Sequence, residues 1–194
     1  MPEIDYSIIK RALTGPDKEC GDTGLVIIEE DECFIAHIDA LGHGGSAYEV
    51  AMIAEDYLSA NHDNDLLEVV TGLHTHLKGT IGAVAAVCRL NIKSGKLEHV
   101  GVGNITVRIF GRERITFVSR DGVVGYSQLS LEKQIADLKE GDVLVITSDG
   151  IREHYRLEEY PDLLYGSADE IALKIMDNLA KGDDDVSCLV LRYK

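Results

Sequence analysis

Hydrophobic residues along the chain follow two periods, and each period predicts one kind of secondary structure. Short apolar runs that are rich in β-branched residues and bounded by turn residues predict strands. These strands cover residues 6–13, 23–28, 33–38, 81–90, 97–102, 105–110, 115–119, 143–147 and 186–193. Apolar residues that recur every three or four positions predict amphipathic helices at residues 47–58, 66–77 and 171–179.

The order of these elements predicts the fold class. Two consecutive helices follow the third strand and one helix precedes the last, so strands and helices do not alternate as they do in a doubly wound parallel sheet. The runs at 84–90 and 143–147 are apolar on both faces, which indicates sheets that are covered on both sides. We therefore expect an α+β fold, a mostly antiparallel sandwich with helices packed outside it, in a single domain over residues 1–194.

Charge and composition narrow the expected partners and compartment. The chain has 34 acidic and 19 basic residues, and its formal net charge of −15 repels nucleic acids and anionic membrane surfaces. No apolar run reaches the length of about 20 residues that a transmembrane helix needs. The N-terminal residues lack a signal-peptide pattern, so we expect a cytoplasmic protein. The four cysteines form no CxxC pair and are expected to be reduced thiols in or near the core rather than zinc ligands or disulfides.

Two aspartates flank the second and third predicted strands. Asp22 comes directly before one strand and Asp39 directly after the next, with an acidic turn between them. If the hairpin turns between Glu30 and Asp31, opposed residues have numbers that sum to 61, and Asp22 lies opposite Asp39. Two carboxylates side by side repel one another, so this register predicts a cation or a shared proton between them.

Further aspartates are expected at the same edge of the sandwich. Asp149 follows one late strand, and the run Asp183, Asp184 and Asp185 precedes the last strand. The end of a strand and the start of its antiparallel neighbour lie at the same sheet edge. A carboxylate cluster without matching histidines or thiols prefers a hard cation, Mg²⁺ or Mn²⁺ before Zn²⁺. Such ions bind phosphate and activate water, so hydrolysis of a phosphate ester is the chemistry that fits.

Together these motifs resemble those of the metal-dependent PPM-type serine/threonine protein phosphatases, over nearly the whole chain. The motifs are, in chain order, Gly21-Asp22, Asp39-Ala40-Leu41-Gly42-His43-Gly44, Gly79-Thr80-Ile81-Gly82-Ala83, Val102-Gly103-Asn104, the run GDVLVITSDGI at 141–151, and Asp184-Asp185-Val186-Ser187. The spacing DxxGHG is similar to that of the bacterial branch that dephosphorylates regulators of stress and sporulation sigma factors. Within that branch, the short length and the segment GVGNITVRI look most like a stressosome feedback phosphatase.

The resemblance implies a fold, a cofactor and a substrate. The fold would be a four-layer αββα sandwich with two mostly antiparallel sheets, and the cofactor two Mn²⁺ or Mg²⁺ ions. The substrates would be phosphoserine or phosphothreonine on STAS-domain scaffold proteins of the stressosome. A water held between the ions would attack phosphorus in line, without a phosphoenzyme.

The resemblance also implies roles for individual residues. Asp39 matches the ligand that bridges both metals, and Ala40 the residue that lends a backbone carbonyl to one of them. Asp22 matches a ligand of that same metal, whereas Asp149 and Asp184 match ligands of the other.

Supporting roles are expected at five further positions. Gly42 and Gly44 would let the backbone approach metal and phosphate, and Asp185 would form hydrogen bonds behind the ligands. His43 stands four residues after Asp39, where it would either assist catalysis or steady the start of the helix from Gly45. Lys18 is a candidate phosphate contact, against the alternative of an exposed surface lysine.

Two other functions stay open at this point. A catalytically inactive protein of the same fold would bind phosphorylated partners without releasing phosphate. A small-molecule phosphohydrolase would act on metabolite phosphates as fast as on phosphoproteins, or faster. If the chain is a protein phosphatase, the short segment 151–183 leaves little room for a substrate-binding flap, so its selectivity would depend on docking a folded partner.

Overall fold

A computed structural model describes residues 3–14, 19–126 and 128–194, and these residues form ten strands and three α-helices. The strands are β1 (Ile4–Arg11), β2 (Asp22–Glu29), β3 (Glu32–Ala40), β4 (Ala83–Asn91), β5 (Lys96–Val102), β6 (Thr106–Phe110), β7 (Arg114–Phe117), β8 (Lys133–Asp137), β9 (Val143–Thr147) and β10 (Val186–Tyr193). The helices are α1 (Gly45–Asn61), α2 (Leu66–His76) and α3 (Ala168–Leu179), and a short 3₁₀ helix covers Leu157–Glu159.

The strands pair into two five-stranded sheets in which every pair of neighbouring strands is antiparallel. One sheet has the order β1-β10-β9-β6-β7, and the other has the order β2-β3-β4-β5-β8. Helices α1 and α2 pack on the β2–β8 sheet, and α3 packs on the β1–β7 sheet. The layers are therefore helix, sheet, sheet, helix, and the predicted αββα sandwich is confirmed.

Three hydrophobic clusters fill the spaces between the four layers. The cluster around Ile38, Leu66 and Leu73 lies between α1, α2 and their sheet. The cluster around Ile35 and Ile146 lies between the two sheets, and a third joins α3 to the β1–β7 sheet. Because β3, β4, β9 and β10 contribute to two clusters each, their residues are apolar on both faces, as the sequence indicates.

The helix boundaries follow from local capping. Ser167 accepts a hydrogen bond from the Glu170 N–H, and the Glu170 carboxylate accepts one from the Ser167 N–H, which forms a capping box at the start of α3. Asp65 caps α2 by accepting a hydrogen bond from the Leu67 N–H at 2.9 Å. These caps stabilise the helix ends at the positions where the apolar periodicity begins.

Sequence and structure differ at a few element boundaries. Strand β1 begins two residues earlier than predicted, and β4 begins at Ala83 because Gly82 adopts a left-handed conformation with φ of +81°. Strand β8 is not predicted from the sequence, because it is an edge strand whose residues are half-buried or exposed. All four cysteines are buried with free thiols, as expected.

Among the described residues, no helix combines the length and the apolar character that crossing a membrane requires.

Candidate metal centre

The β2–β3 hairpin brings two buried or half-buried aspartates together. Its register pairs Asp22 with Asp39, and the remaining pairs down to Glu29 and Glu32 also sum to 61, so the predicted register is confirmed. Only 1% of Asp22 is exposed to solvent, and Asp39 is partly buried. Burial raises the pKa of both carboxyls. The negative charges of Asp185 and Asp149 add to the shift of Asp22, and those of Asp22, Asp149 and Asp184 add to the shift of Asp39.

Asp149 and Asp184 reach the same edge from the other sheet. Strands β9 and β10 are antiparallel neighbours that pair Thr147 with Cys188, so the end of β9 and the start of β10 lie together. The negative charges of Asp149 and Asp184 contribute, after burial and Asp22, to the raised pKa of Asp39. Burial and Asp149 likewise raise the pKa of Asp184. Ligands predicted for both metals therefore lie within electrostatic range of one another.

A chain of buried hydrogen bonds connects Asp22 to Ser187 and His37. The Ser187 hydroxyl donates to Asp22 Oδ2 at 2.6 Å, and His37 Nε2 lies 2.8 Å from the same hydroxyl oxygen. The hydroxyl hydrogen is already used, so the His37 Nε2–H donates to Ser187. Burial lowers the pKa of His37 to about 4, which keeps the ring neutral. The contact between Ser187 and His37 could not be predicted from the sequence, because strands far apart along the chain bring the two residues together.

Asp185, just before β10, connects to the segment before β2 by hydrogen bonds. Its Oδ1 accepts a hydrogen bond from the Leu13 N–H at 2.7 Å, and its Oδ2 accepts one from the Gly21 N–H at 2.6 Å. The Asp185 N–H in turn donates to Asp184 Oδ1 at 2.8 Å. These contacts place Asp185 behind the partly exposed Asp184.

Asn104 is a further polar neighbour of the site. Its side-chain amide donates to Asp149 Oδ2 at 2.8 Å from the loop before β6. Asn104 is exposed, whereas Asp149 is partly buried. Asn104 belongs to one of the motifs named above. Its contact with Asp149 could not be predicted from the sequence, because it depends on the pairing of β6 with β9.

The glycine turn after Asp39 leads directly into α1. Gly42 and Gly44 adopt φ values of +82° and +77°, which favour glycine, and a Cβ atom at either position would meet nothing within 4 Å. The turn therefore presents open backbone beside the carboxylates. His43 is exposed, and Gly44 occupies the N-cap of α1 without a side-chain hydrogen bond, so the alternative in which His43 steadies the start of this helix has no capping contact behind it. An electrostatic interaction with His43 opposes the rise in the pKa of Asp184, so His43 lies within electrostatic range of that carboxyl.

Two other glycines permit close approach of the segments that carry the aspartates. A Cβ atom on Gly150 would lie 2.3 Å from the Asp185 carbonyl oxygen, and one on Gly21 would lie 2.7 Å from the Ala47 Cβ. The same Gly21 position is 3.6 Å from the Ala40 carbonyl oxygen. The Ala40 N–H donates to the Gly21 carbonyl at 3.1 Å, which fixes the backbone at the predicted carbonyl ligand.

The donor set suits a pair of hard cations. Among the described residues, no lysine or arginine forms an ion pair with any of the four carboxylates. Within the same residues, no three of the four bring ligand atoms within 4.8 Å of one another. Carboxylate oxygens without a compensating basic side chain are the donors that hard divalent cations prefer. Lys18, the predicted phosphate contact, lies outside the described residues.

A tighter cluster of potential ligands lies at the opposite end of the β2–β3 hairpin. His62 Nε2 is 3.4 Å from Glu29 Oε1 and 3.2 Å from Asp63 Oδ1, and all three ligand atoms lie within 4.8 Å of one another. Both carboxylates are exposed, so an ordinary surface ion pair accounts for this cluster.

Comparison with known proteins gives matches in sequence and in structure. The family model described as stage II sporulation protein E (SpoIIE) matches residues 29–194. Phosphoserine phosphatase RsbX of Bacillus subtilis (strain 168) is 21% identical over 134 residues, which cover 68% of this chain and 67% of that protein.

Two solved structures show the same fold. A chain from "The bacterial stressosome: a modular system that has been adapted to control secondary messenger signaling" is 33% identical, with a TM-score of 0.90 over 98% of this chain and 100% of that one. The crystal structure of RsbX in complex with magnesium is 20% identical, with a TM-score of 0.83 over 98% of this chain and 96% of that one. On the extent of the family match, the chain belongs to the SpoIIE family of PPM-type protein phosphatases.

Proposed function

We propose that this chain hydrolyses phosphoserine or phosphothreonine on STAS-domain stress-signalling proteins of the stressosome, with two Mn²⁺ or Mg²⁺ ions bound by its aspartates. In this proposal residues 1–194 act as one phosphatase domain. The proposed compartment is the cytoplasm, which agrees with four buried cysteines that keep free thiols.

The pairing of Asp22 with Asp39 is the observation that carries the proposal. Two neighbouring carboxyls with raised pKa values destabilise the fold when both ionise, unless cations offset their charge. Asp149 and Asp184 add further negative charge from the other sheet. An uncompensated cluster of this kind is costly, and a pair of divalent cations would offset that cost.

Each ion would have its own set of ligands, with Asp39 common to both. Asp39 would contact both, Asp22 and the Ala40 carbonyl would hold one, and Asp149 and Asp184 would hold the other. When bound, the ions would activate a water for in-line attack on phosphorus and offset charge on the phosphoryl oxygens. The exposed turn with Gly42 and Gly44 would admit the phosphate, and His43 would be positioned to pass a proton to the leaving oxygen.

The choice of substrate is supported by the two most informative relatives. One is named a phosphoserine phosphatase, and the 33% identical chain comes from work on the bacterial stressosome. The segment between Ile151 and α3 is short, and Tyr155, Leu157 and Tyr160 pack on the third hydrophobic cluster. Little of this segment is free to enclose a small metabolite, which favours a protein substrate.

Phosphate release from a phosphorylated STAS-domain protein tests the proposal. The assay compares Mn²⁺, Mg²⁺ and a chelator, and it compares kcat/KM for the phosphoprotein with kcat/KM for several metabolite phosphates. We expect metal-dependent release with a clear preference for the phosphoprotein. Tight binding of the phosphoprotein without release in any metal would identify an inactive binding protein, and a preference for metabolites would identify a small-molecule phosphohydrolase.

A further inference from the structure

An open groove lined by arginines lies between the outer face of β6–β7 and the segment after Asp149. It has a volume of about 460 Å³, and its charged lining consists of Arg108, Arg114 and Arg156 with Glu153 and Glu159. The formal charge of this lining is therefore three positive minus two negative, or +1, whereas the whole chain carries −15. The groove is therefore a surface of net positive charge on a molecule whose net charge is negative.

Arginines are concentrated in the two segments that form the groove. Five of the nine arginines in the chain lie in residues 108–114 and 152–156. Among the described residues, none of Arg108, Arg114 and Arg156 lies within 4.0 Å of a carboxylate oxygen in an ion pair. These guanidinium groups therefore keep donors free for an anionic ligand.

Aromatic and backbone contacts hold two of the arginines in place. The Arg108 guanidinium donates to the Glu153 carbonyl at 2.9 Å and lies 5.8 Å from the centre of the Tyr155 ring. The Arg114 guanidinium lies 5.3 Å from the centre of the Phe110 ring. Because these contacts restrict the side chains before a ligand arrives, binding an anion costs less side-chain entropy.

The groove lies a short distance from the candidate metal centre. Asn104, which donates to Asp149, is four residues before Arg108, and Arg108 lies in strand β6. Four residues of extended chain span about 13 Å. A substrate segment with its phosphate at the aspartates would reach the groove after about four extended residues.

We propose that this groove binds an acidic segment of the phosphoprotein substrate, about four to six residues from the phosphorylated serine or threonine. The inference rests on the proposed function and adds a rule for substrate selection. Attraction between the acidic segment and the arginines offsets, at one place, the repulsion between an anionic substrate and a chain of charge −15. The two glutamates of the groove restrict the acidic residues to positions that face the guanidinium groups.

Matched phosphopeptides and charge-reversed variants test the groove. Each peptide carries one phosphoserine with three aspartates, or three asparagines, four to six residues away on either side. The proteins are the wild type, the double variant Arg114→Glu with Arg156→Glu, and the control Arg112→Glu, whose exposed side chain lies in the β6–β7 turn outside the groove. Arg108 is left unchanged because it also holds the backbone at Glu153.

The readout is the ratio of kcat/KM for the acidic peptide to kcat/KM for the neutral one. In the wild type and in Arg112→Glu we expect this ratio to be roughly 10, since several exposed ion pairs contribute a few tenths of a kcal/mol or more each. In the double variant we expect it to fall to about 1 or below, mainly through KM. An equal loss in Arg112→Glu, or no preference in the wild type, would overturn the proposal.

A binding assay separates this inference from the proposed function. Fluorescence anisotropy of the unphosphorylated acidic peptide requires no turnover, and we expect the double variant to bind it roughly 10-fold more weakly than Arg112→Glu does. If the double variant binds the peptide as tightly as Arg112→Glu does, and sedimentation shows that the double substitution converts a dimer to a monomer, the groove binds a second copy of the chain instead. Absence of hydrolysis with intact peptide binding would refute the catalytic proposal alone.

Discussion

Asp39 combines a half-buried position with the repulsion of its neighbours. Its raised pKa means that the folded protein binds a proton there more tightly than the unfolded chain does. The stability associated with that proton is present in full below the unfolded pKa of about 3.8 and is lost progressively as the pH rises to the folded pKa of about 9. The metal-free protein is therefore expected to be strained near pH 8, far above the unfolded pKa of this carboxyl.

Replacing Asp39 with Asn tests this strain. In the presence of a chelator, we expect Asp39→Asn to be more stable than the wild type at pH 8 by roughly 1–3 kcal/mol, because Asn needs neither a bound proton nor a buried charge on folding. The advantage should shrink as the pH falls towards 4.5. Urea denaturation at several pH values measures the difference between the two proteins, and a constant difference would contradict the account.

Ser187 is expected to act on metal affinity through Asp22. Removal of its hydroxyl in Ser187→Ala leaves Asp22 Oδ2 and His37 Nε2 without their shared partner. We expect Mn²⁺ affinity to fall about 10- to 100-fold, as for other residues that orient metal ligands from behind. Calorimetric titration with Mn²⁺ measures the affinity. The control is Ser59→Ala, the same change at an exposed position of α1. Equal affinity in both variants would remove Ser187 from the site.

At the scale of elements, the hairpin register is the part of the site that the sequence predicts best. An acidic turn and two apolar runs of similar length leave one register that buries the apolar residues of β2 and β3, and this register opposes Asp22 and Asp39. Contacts such as Ser187 with His37 depend on the packing of one sheet on the other. Strand β8 depends on pairing with β5 rather than on its own hydrophobic pattern, so no local signal identified it.

Gly150 sets how closely the end of β9 approaches the start of β10. An added methyl group would lie 2.3 Å from the Asp185 carbonyl and 2.9 Å from the Val186 Cβ, so the two strand ends must separate in Gly150→Ala. We expect a loss of roughly 1–3 kcal/mol in stability and weaker Mn²⁺ binding, because Asp149 and Asp184 move apart. In the control Gly45→Ala a Cβ meets nothing within 4 Å, and stability should not fall. Equal effects of the two changes would contradict this role.

At the scale of the whole molecule, the candidate centre draws its ligands from both sheets. Asp22 and Asp39 belong to the sheet with α1 and α2 on its outer face, whereas Asp149 and Asp184 flank β9 and β10 of the other. Bound ions would therefore connect the two halves of the sandwich in addition to the hydrophobic cluster between them. Metal binding and global stability should be linked.

Thermal unfolding measures that linkage. At 100 times the dissociation constant, a bound ion stabilises the folded state by about 2.7 kcal/mol, so Mn²⁺ should raise Tm by several degrees over the chelated protein. We expect the increase to be lost in Asp39→Asn. If Mn²⁺ instead binds at the surface cluster of Glu29, His62 and Asp63, the increase in Tm should be the same in Asp39→Asn as in the wild type.

Phosphate release from a phosphoserine-bearing STAS-domain protein, in wild type and in Asp39→Asn, tests the central claim most directly. The control is Asp137→Asn, the same change at an exposed aspartate of β8. We expect release in Mn²⁺ or Mg²⁺ that a chelator abolishes, no loss in Asp137→Asn, and a loss of at least about 100-fold in Asp39→Asn. Undiminished release by a folded Asp39→Asn protein would contradict the assignment of this edge of the sandwich as the catalytic metal centre.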